Sequence, residues 1–149
     1  MIRVQEEDFD VGKEIDLLIQ NGVGAVASFV GLVRGKEGDD DIKSMTLEYY
    51  PGMTEKKLGE IENIARKRWT LENCLIIHRF GRLSPSDKIV LVVTTSSHRQ
   101  DALESCAFLM DWLKTDAPFW KLEERGSGSQ WVSARDSDTE ALNKWNQEK

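Results

Sequence analysis

Residues 11–21, VGKEIDLLIQN, place apolar side chains at helical spacing through Ile15, Leu18 and Ile19, and Gly22 stands where a helix cap belongs. GAVASFVGLVRG follows, and predicts a strand from about Gly24 to Val33 that ends in Arg34–Gly35. KEGDDD (36–41) reads as a charged turn, solvated and mobile. MTLEYY (45–50) alternates as a strand does and is stopped by Pro51–Gly52. Thr54 is the expected N-cap of the next helix, EKKLGEIENIARKRW, although Lys57 stands at N3 where a capping box takes Glu or Gln. That helix would turn Leu58, Ile61, Ile64 and Ala65 to one face.

CLIIHRF (74–80) and KIVLVVTTS (88–96) predict two strands joined by the turn GRLSPSD. The second is almost continuously apolar, the pattern of a central strand covered on both faces. HRQDALESCAFLMDWLK (98–114) carries a helical stripe of Ala102, Leu103, Cys106, Ala107, Leu109, Met110 and Leu113, capped by Ser96 or Ser97 and closed near Pro118. FWKLEE (119–124) and QWVSAR (130–135) predict strands around a GSGS turn, and the polar end of the chain is weakly helical. The order is helix, strand, strand, helix, strand, strand, helix, strand, strand. It specifies an α+β fold with helices packed on a mixed or largely antiparallel sheet, as a single domain over 1–137 with a polar tail at 138–149.

Charge narrows the function. Twenty Lys and Arg against 26 Asp and Glu give a net charge of −6, which excludes a general nucleic-acid binder; any anion site must be a local cationic cluster. The acidic start MIRVQEEDFD lacks the basic-then-apolar pattern of a secretory leader, and no apolar run is long enough to span a bilayer, so a cytoplasmic location is expected. Cys74 and Cys106 fall in apolar surroundings without metal-ligand spacing and read as inert buried thiols. No metal and no cofactor is expected.

Several cations fall at element ends. Arg34 closes a strand. His98 and Arg99 begin a helix, where unpaired N–H groups and the dipole favour anions. Lys114 ends the same helix, more than roughly 20 Å from Arg99 at about 1.5 Å per residue, so one pocket holds both only if it is elongated. Each has a plainer reading: a strand-end charge, a cap, a cation on a helix C-terminus. Lys114 and Lys121 around Ala-Pro-Phe-Trp shift the balance, because aromatic walls exclude water and a desolvated amine becomes a usable acid, base or nucleophile.

HR (98–99) followed by DWLKTDAPFWKLE (111–123), with FVGLVRG (29–35), LEYYPGMTEK (48–57), HRFGRLSPSD (78–87), TTSSHR (94–99) and WVSAR (131–135), resembles the large, catalytic subunit of molybdopterin synthase. The resemblance runs in register from about residue 3 to residue 137. It implies an α/β hammerhead-type fold, a homodimer, and a heterotetramer in which each subunit receives the C-terminal Gly–Gly thiocarboxylate of a small ubiquitin-like sulfur carrier. The implied reaction places two sulfurs on cyclic pyranopterin monophosphate to make molybdopterin.

Position by position, the resemblance assigns Lys114 to the thiocarboxylate terminus and Lys121 as second catalytic lysine. It assigns Arg34, His98 and Arg99 to the pterin phosphate and ring, Arg135 to a contribution from the neighbouring subunit, and Phe29 and Met110 to the apolar lining. Two departures from the family pattern stand out: PSD in place of a glycine before Asp87, and Tyr49 in place of a histidine. The competing readings are a non-catalytic module that binds a ubiquitin-like tail or an anionic nucleotide, and a purely structural dimer.

Overall fold

A computed structural model of the chain describes residues 1–132 and 136–147. In chain order its elements are β1 (Ile2–Gln5), α1 (Val11–Asp16), β2 (Ala25–Leu32), β3 (Lys36–Glu37), β4 (Asp40–Tyr49), α2 (Met53–Arg68), β5 (Asn73–Arg79), β6 (Gly81–Leu83), β7 (Lys88–Ser96), α3 (Arg99–Thr115), β8 (Phe119–Arg125), β9 (Gly128–Val132) and α4 (Asp136–Gln147). Two sheets result, one ordered β1-β5-β7-β2 and a second ordered β3-β4-β8-β9 with β6 also on β4. Only the β1–β5 pairing is parallel among those formed by the described residues. The α+β expectation holds. No described helix is long and apolar enough to cross a membrane.

The continuous apolar character of β5 and β7 has the cause its pattern implies. Cys74, Ile76, Val90 and Val92 face α2 and α3, where they join Leu58, Ile61, Leu109 and Leu113. Leu75, Ile77, Leu91 and Val93 face the other way and close over Phe9 and Leu18. Burying both faces of a strand removes the alternation that marks a half-exposed one. α4 belongs to the first cluster: Trp145 is buried there, edge-on to Trp69 and Phe108 at 5.7 and 5.6 Å, and its Nε1–H donates to Asp111 Oδ2 at 2.7 Å.

Several elements depart from the pattern reading. The helix expected over 11–21 stops at Asp16; Asp10 caps it, accepting from Lys13 N–H, and Leu17 and Ile19 turn outward while Leu18 alone enters the core. The KEGDDD segment is a hairpin rather than a free loop: Lys36 pairs with Asp41 and Glu37 with Asp40, and Gly38 takes the positive φ (61°) that the reversal needs. Thr54 does not cap α2. Gly52 does, and its N–H donates to Glu55 Oε1, while fully buried Thr54 spends its hydroxyl on Tyr50 N–H and the Pro118 carbonyl. Ile64 is exposed, as is Leu103 on α3, whose cap position is His98 rather than a serine. β1 had no counterpart in the pattern reading.

Candidate active site

β8 follows α3 after only three residues, so the end of the helix and the start of the strand must share a corner. Thr115 closes the helix by donating back to the Asp111 carbonyl, Asp116 N–H reaches the Trp112 carbonyl, and Pro118 prevents a further helical turn. The corner is tied down by the hydrogen bond from Thr54 Oγ1 to the Pro118 carbonyl. Along β8 the period of two then turns Phe119, Lys121, Glu123 and Arg125 to one face and Trp120, Leu122 and Glu124 to the other. The first face looks toward the C-terminal end of α3 and the end of β5.

Between them lies a cavity of about 580 Å³. Its polar lining includes Arg34, His78, Lys114, Lys121, Glu123 and Asp138, with Leu113, Ala117 and Phe119 among the apolar walls. The two lysines of the sequence motif therefore meet in one site. Phe119 is the inner wall, stacked on the His78 ring at 3.7 Å between centroids. Trp120 turns to the rim, where it is exposed and meets Tyr50 edge-on at 4.5 Å.

The electrostatics differ sharply among these groups. Burial, reinforced by the Lys114 ammonium, lowers the Lys121 amine from 10.5 to about 8, against the opposing pull of Asp138 and Glu123. Lys121 thus exchanges its proton close to neutral pH. His78 is pushed down to about 3, first by burial and then by the Lys121 and Lys114 charges, with its hydrogen bond to the Arg79 carbonyl opposing; its imidazole is neutral throughout the physiological range. Glu123 is 1% exposed. Its Oε1 accepts from Arg125 Nη2 at 2.9 Å, while its buried Oε2 has no hydrogen-bond partner among the described residues. Arg34 is exposed at the mouth and paired with Glu37. Lys114 is likewise exposed on the rim side of the helix end.

The remaining sequence candidates lie elsewhere. His98 and Arg99 occupy the opposite, N-terminal end of α3, both exposed, so within one chain they do not reach the cavity. Phe29 is a half-exposed residue midway along β2, the edge strand of the first sheet, and Met110 is buried beneath α3. Neither lines the cavity formed by this chain. Arg135 lies outside the described residues. Both cysteines are buried, and burial raises their thiols to about 12 for Cys74 and about 11 for Cys106, which makes neither a usable nucleophile.

Pattern reasoning missed His78, Glu123 and Asp138. His78 stood inside an apolar strand run, where a lone histidine looks like core. Glu123 could have been found, since it is two residues beyond Lys121 and so on the same face of the strand.

The family described as MoaE protein matches residues 4–116. The chain is 51% identical over 146 residues to the molybdopterin synthase catalytic subunit of Ralstonia nicotianae, covering 97% of this chain and 83% of that one. Its structure resembles a molybdopterin biosynthesis MoaE protein from Burkholderia ambifaria, with a TM-score of 0.83, 48% identity and 97% of both chains covered. It also resembles a molybdopterin synthase from Staphylococcus aureus, with a TM-score of 0.82, 30% identity, and 88% of this chain and 96% of that one covered.

Proposed function

The chain belongs to the MoaE protein family, whose curated members are molybdopterin synthase catalytic subunits, and from that membership we propose how it performs sulfur transfer in molybdenum cofactor biosynthesis. Cyclic pyranopterin monophosphate is the substrate, and a small ubiquitin-like carrier brings sulfur as a C-terminal thiocarboxylate. The observation that carries the reading is the meeting of Lys114 and Lys121 in one partly dry cavity of an acidic protein.

The chemistry follows from that meeting. Attack by the thiocarboxylate sulfur makes a carbon–sulfur bond to a pterin side-chain carbon as a carbon–oxygen bond there breaks, the oxygen leaving with a proton, and the carrier stays joined through an acyl link. Hydrolysis of that link frees the carrier as a carboxylate and leaves the sulfur on the product. Negative charge develops on oxygen in both stages. On this reading the Lys114 ammonium holds the carrier's terminal carboxylate and stabilises that charge. Lys121, with its amine near 8, both gives and takes a proton at neutral pH and serves as the acid for a leaving oxygen. The absence of a reactive thiol in this chain accords with sulfur supplied by a partner.

Arg34 meets the phosphate at the cavity mouth, releasing Glu37 to do so. His98 and Arg99 sit a helix length away from the lysines in their own chain, so they serve the cavity of a second copy in a homodimer, together with Phe29 and Arg135; Met110 supports α3 from beneath. Two such copies with two carriers make the heterotetramer, working in the cytoplasm.

The test is turnover. The purified protein, a thiocarboxylated carrier and cyclic pyranopterin monophosphate should yield the dithiolene product. Binding of both without product would favour the adaptor reading. Lys114→Ala should abolish product while leaving the circular dichroism spectrum and the dimer unchanged; retained turnover would remove Lys114 from the mechanism.

A further inference from the structure

The KEGDDD hairpin follows directly on Arg34, and the reaction scheme gives it no part. It is pinned to the end of β8 that carries Arg125. Ile42 stands opposite Arg125 in the sheet, Gly126 N–H donates to the Asp41 carbonyl at 2.9 Å, and Ser127 Oγ–H donates to Asp40 Oδ2 at 2.6 Å. Glu37 is thereby held between two arginines. Its Oε2 accepts from Arg34 Nη2, and the same oxygen lies 4.0 Å from Arg125 Nη2.

An isolated ion pair as exposed as Arg34–Glu37 would contribute little. This one is the outer end of a series of alternating charge, Arg34, Glu37, Arg125 and Glu123, whose side chains are 52%, 36%, 14% and 1% exposed. Arg34 and Glu123, at its two ends, both line the cavity. Arg125 already donates from Nη2 to Glu123 Oε1 at 2.9 Å. A guanidinium has five N–H donors, however, and the buried Nε–H of Arg125 has no hydrogen-bond partner among the described residues. One carboxylate therefore stands between a partner at the mouth, which it holds, and a deeper one with donors to spare. A shift of about 1 Å brings it within hydrogen-bond distance of the second.

We propose that Glu37 is a positioning residue that serves as an exchangeable anion: its carboxylate occupies the Arg34 guanidinium in the substrate-free protein and passes to Arg125 when the phosphate of the substrate takes its place. The proposal rests on the reading that gives Arg34 to the phosphate. The exchange has two consequences. Phosphate must displace a carboxylate, so Glu37 weakens substrate binding. The displaced charge then arrives at Arg125, a residue that is not among those lining the cavity.

Glu37→Gln keeps the shape of the side chain and removes its charge. Equilibrium dialysis with cyclic pyranopterin monophosphate, without carrier, should show binding about threefold tighter in Glu37→Gln. In the turnover assay KM for that substrate should fall by a similar factor, with kcat within about twofold of wild type. Arg34→Gln should bind about tenfold more weakly, and adding Glu37→Gln to it should change nothing further. A gain that persists without Arg34 reflects only one negative charge fewer on the protein, and overturns the proposal. Unchanged binding in the single variant overturns it too.

The exchange itself is read with inorganic phosphate on the full-length protein. Phosphate should shift the Nε–Hε NMR signals of both Arg34 and Arg125 in wild type, and of Arg34 alone in Glu37→Gln. Chloride at equal ionic strength should shift neither. A silent Arg125 in wild type, or one that responds equally in Glu37→Gln, overturns the exchange while leaving Arg34 its phosphate. An Arg34 signal that ignores phosphate, with dialysis unchanged in Arg34→Gln, removes the phosphate from Arg34 and this proposal with it. Wild-type turnover tests the sulfur-transfer reading separately.

Discussion

Replacing Lys121 with methionine should stabilise the protein at neutral pH while ending turnover. The amine falls from 10.5 in an open chain to about 8 in the folded state, with burial as the largest cause. At about 1.4 kcal/mol per pH unit, keeping that amine charged in the cavity costs the fold up to about 3 kcal/mol. The side chain retains some solvent contact, so roughly 2 kcal/mol is the expected gain for a methionine of similar length and no charge. The sign is set by proton binding. Between pH 8 and 10.5 the unfolded chain binds more protons at this residue than the folded one, so wild-type stability rises with pH through that window. Below it the whole penalty applies. Urea unfolding of wild type and Lys121→Met at several pH values measures the difference, with the Met midpoint about 1 M higher at pH 7. The gap should then shrink from pH 8 upward and be largely gone near 10.5. A Met variant no more stable than wild type at pH 7, or a gap indifferent to pH, would refute the reasoning and return Lys121 to ordinary solvent.

Other expectations follow from single residues. Ser86 holds φ at 74° in the turn before Asp87, where its N–H donates to the Val33 carbonyl. Ser86→Gly should relieve about 1 kcal/mol of backbone strain and raise the melting temperature by about 3 °C with turnover unchanged; a lower melting temperature would contradict the strain. Trp145→Ala should cost about 3 kcal/mol by emptying the space between Trp69 and Phe108 and removing the bond to Asp111. Limited proteolysis should then cut first within α4, and unchanged unfolding and cleavage would show that the helix is not docked there.

The amino-acid order alone determined more of this protein than its plain composition suggests. The apolar stripe of α3, the two-sided burial of β7 and the break at Pro118 were legible because each is a periodic signal over nine residues or more, or a residue with one conformational meaning. The placing of Lys114 and Lys121 on either side of that break was legible with them, as was the need for a local cationic site on an acidic chain. The short pieces were not legible. β3 and β6 span two and three residues, too few for a period, and β1 exists because it lies parallel to β5 more than 70 positions along the chain.

Periodicity names the face a residue occupies but not the element across from that face. Only the tertiary structure could therefore bring His78, Glu123 and Asp138 around the lysines. The same limit applies to the chemistry. A sequence shows an amine; the solvent it loses and the charges it meets, which bring Lys121 to about 8, depend on distances that only the folded chain sets.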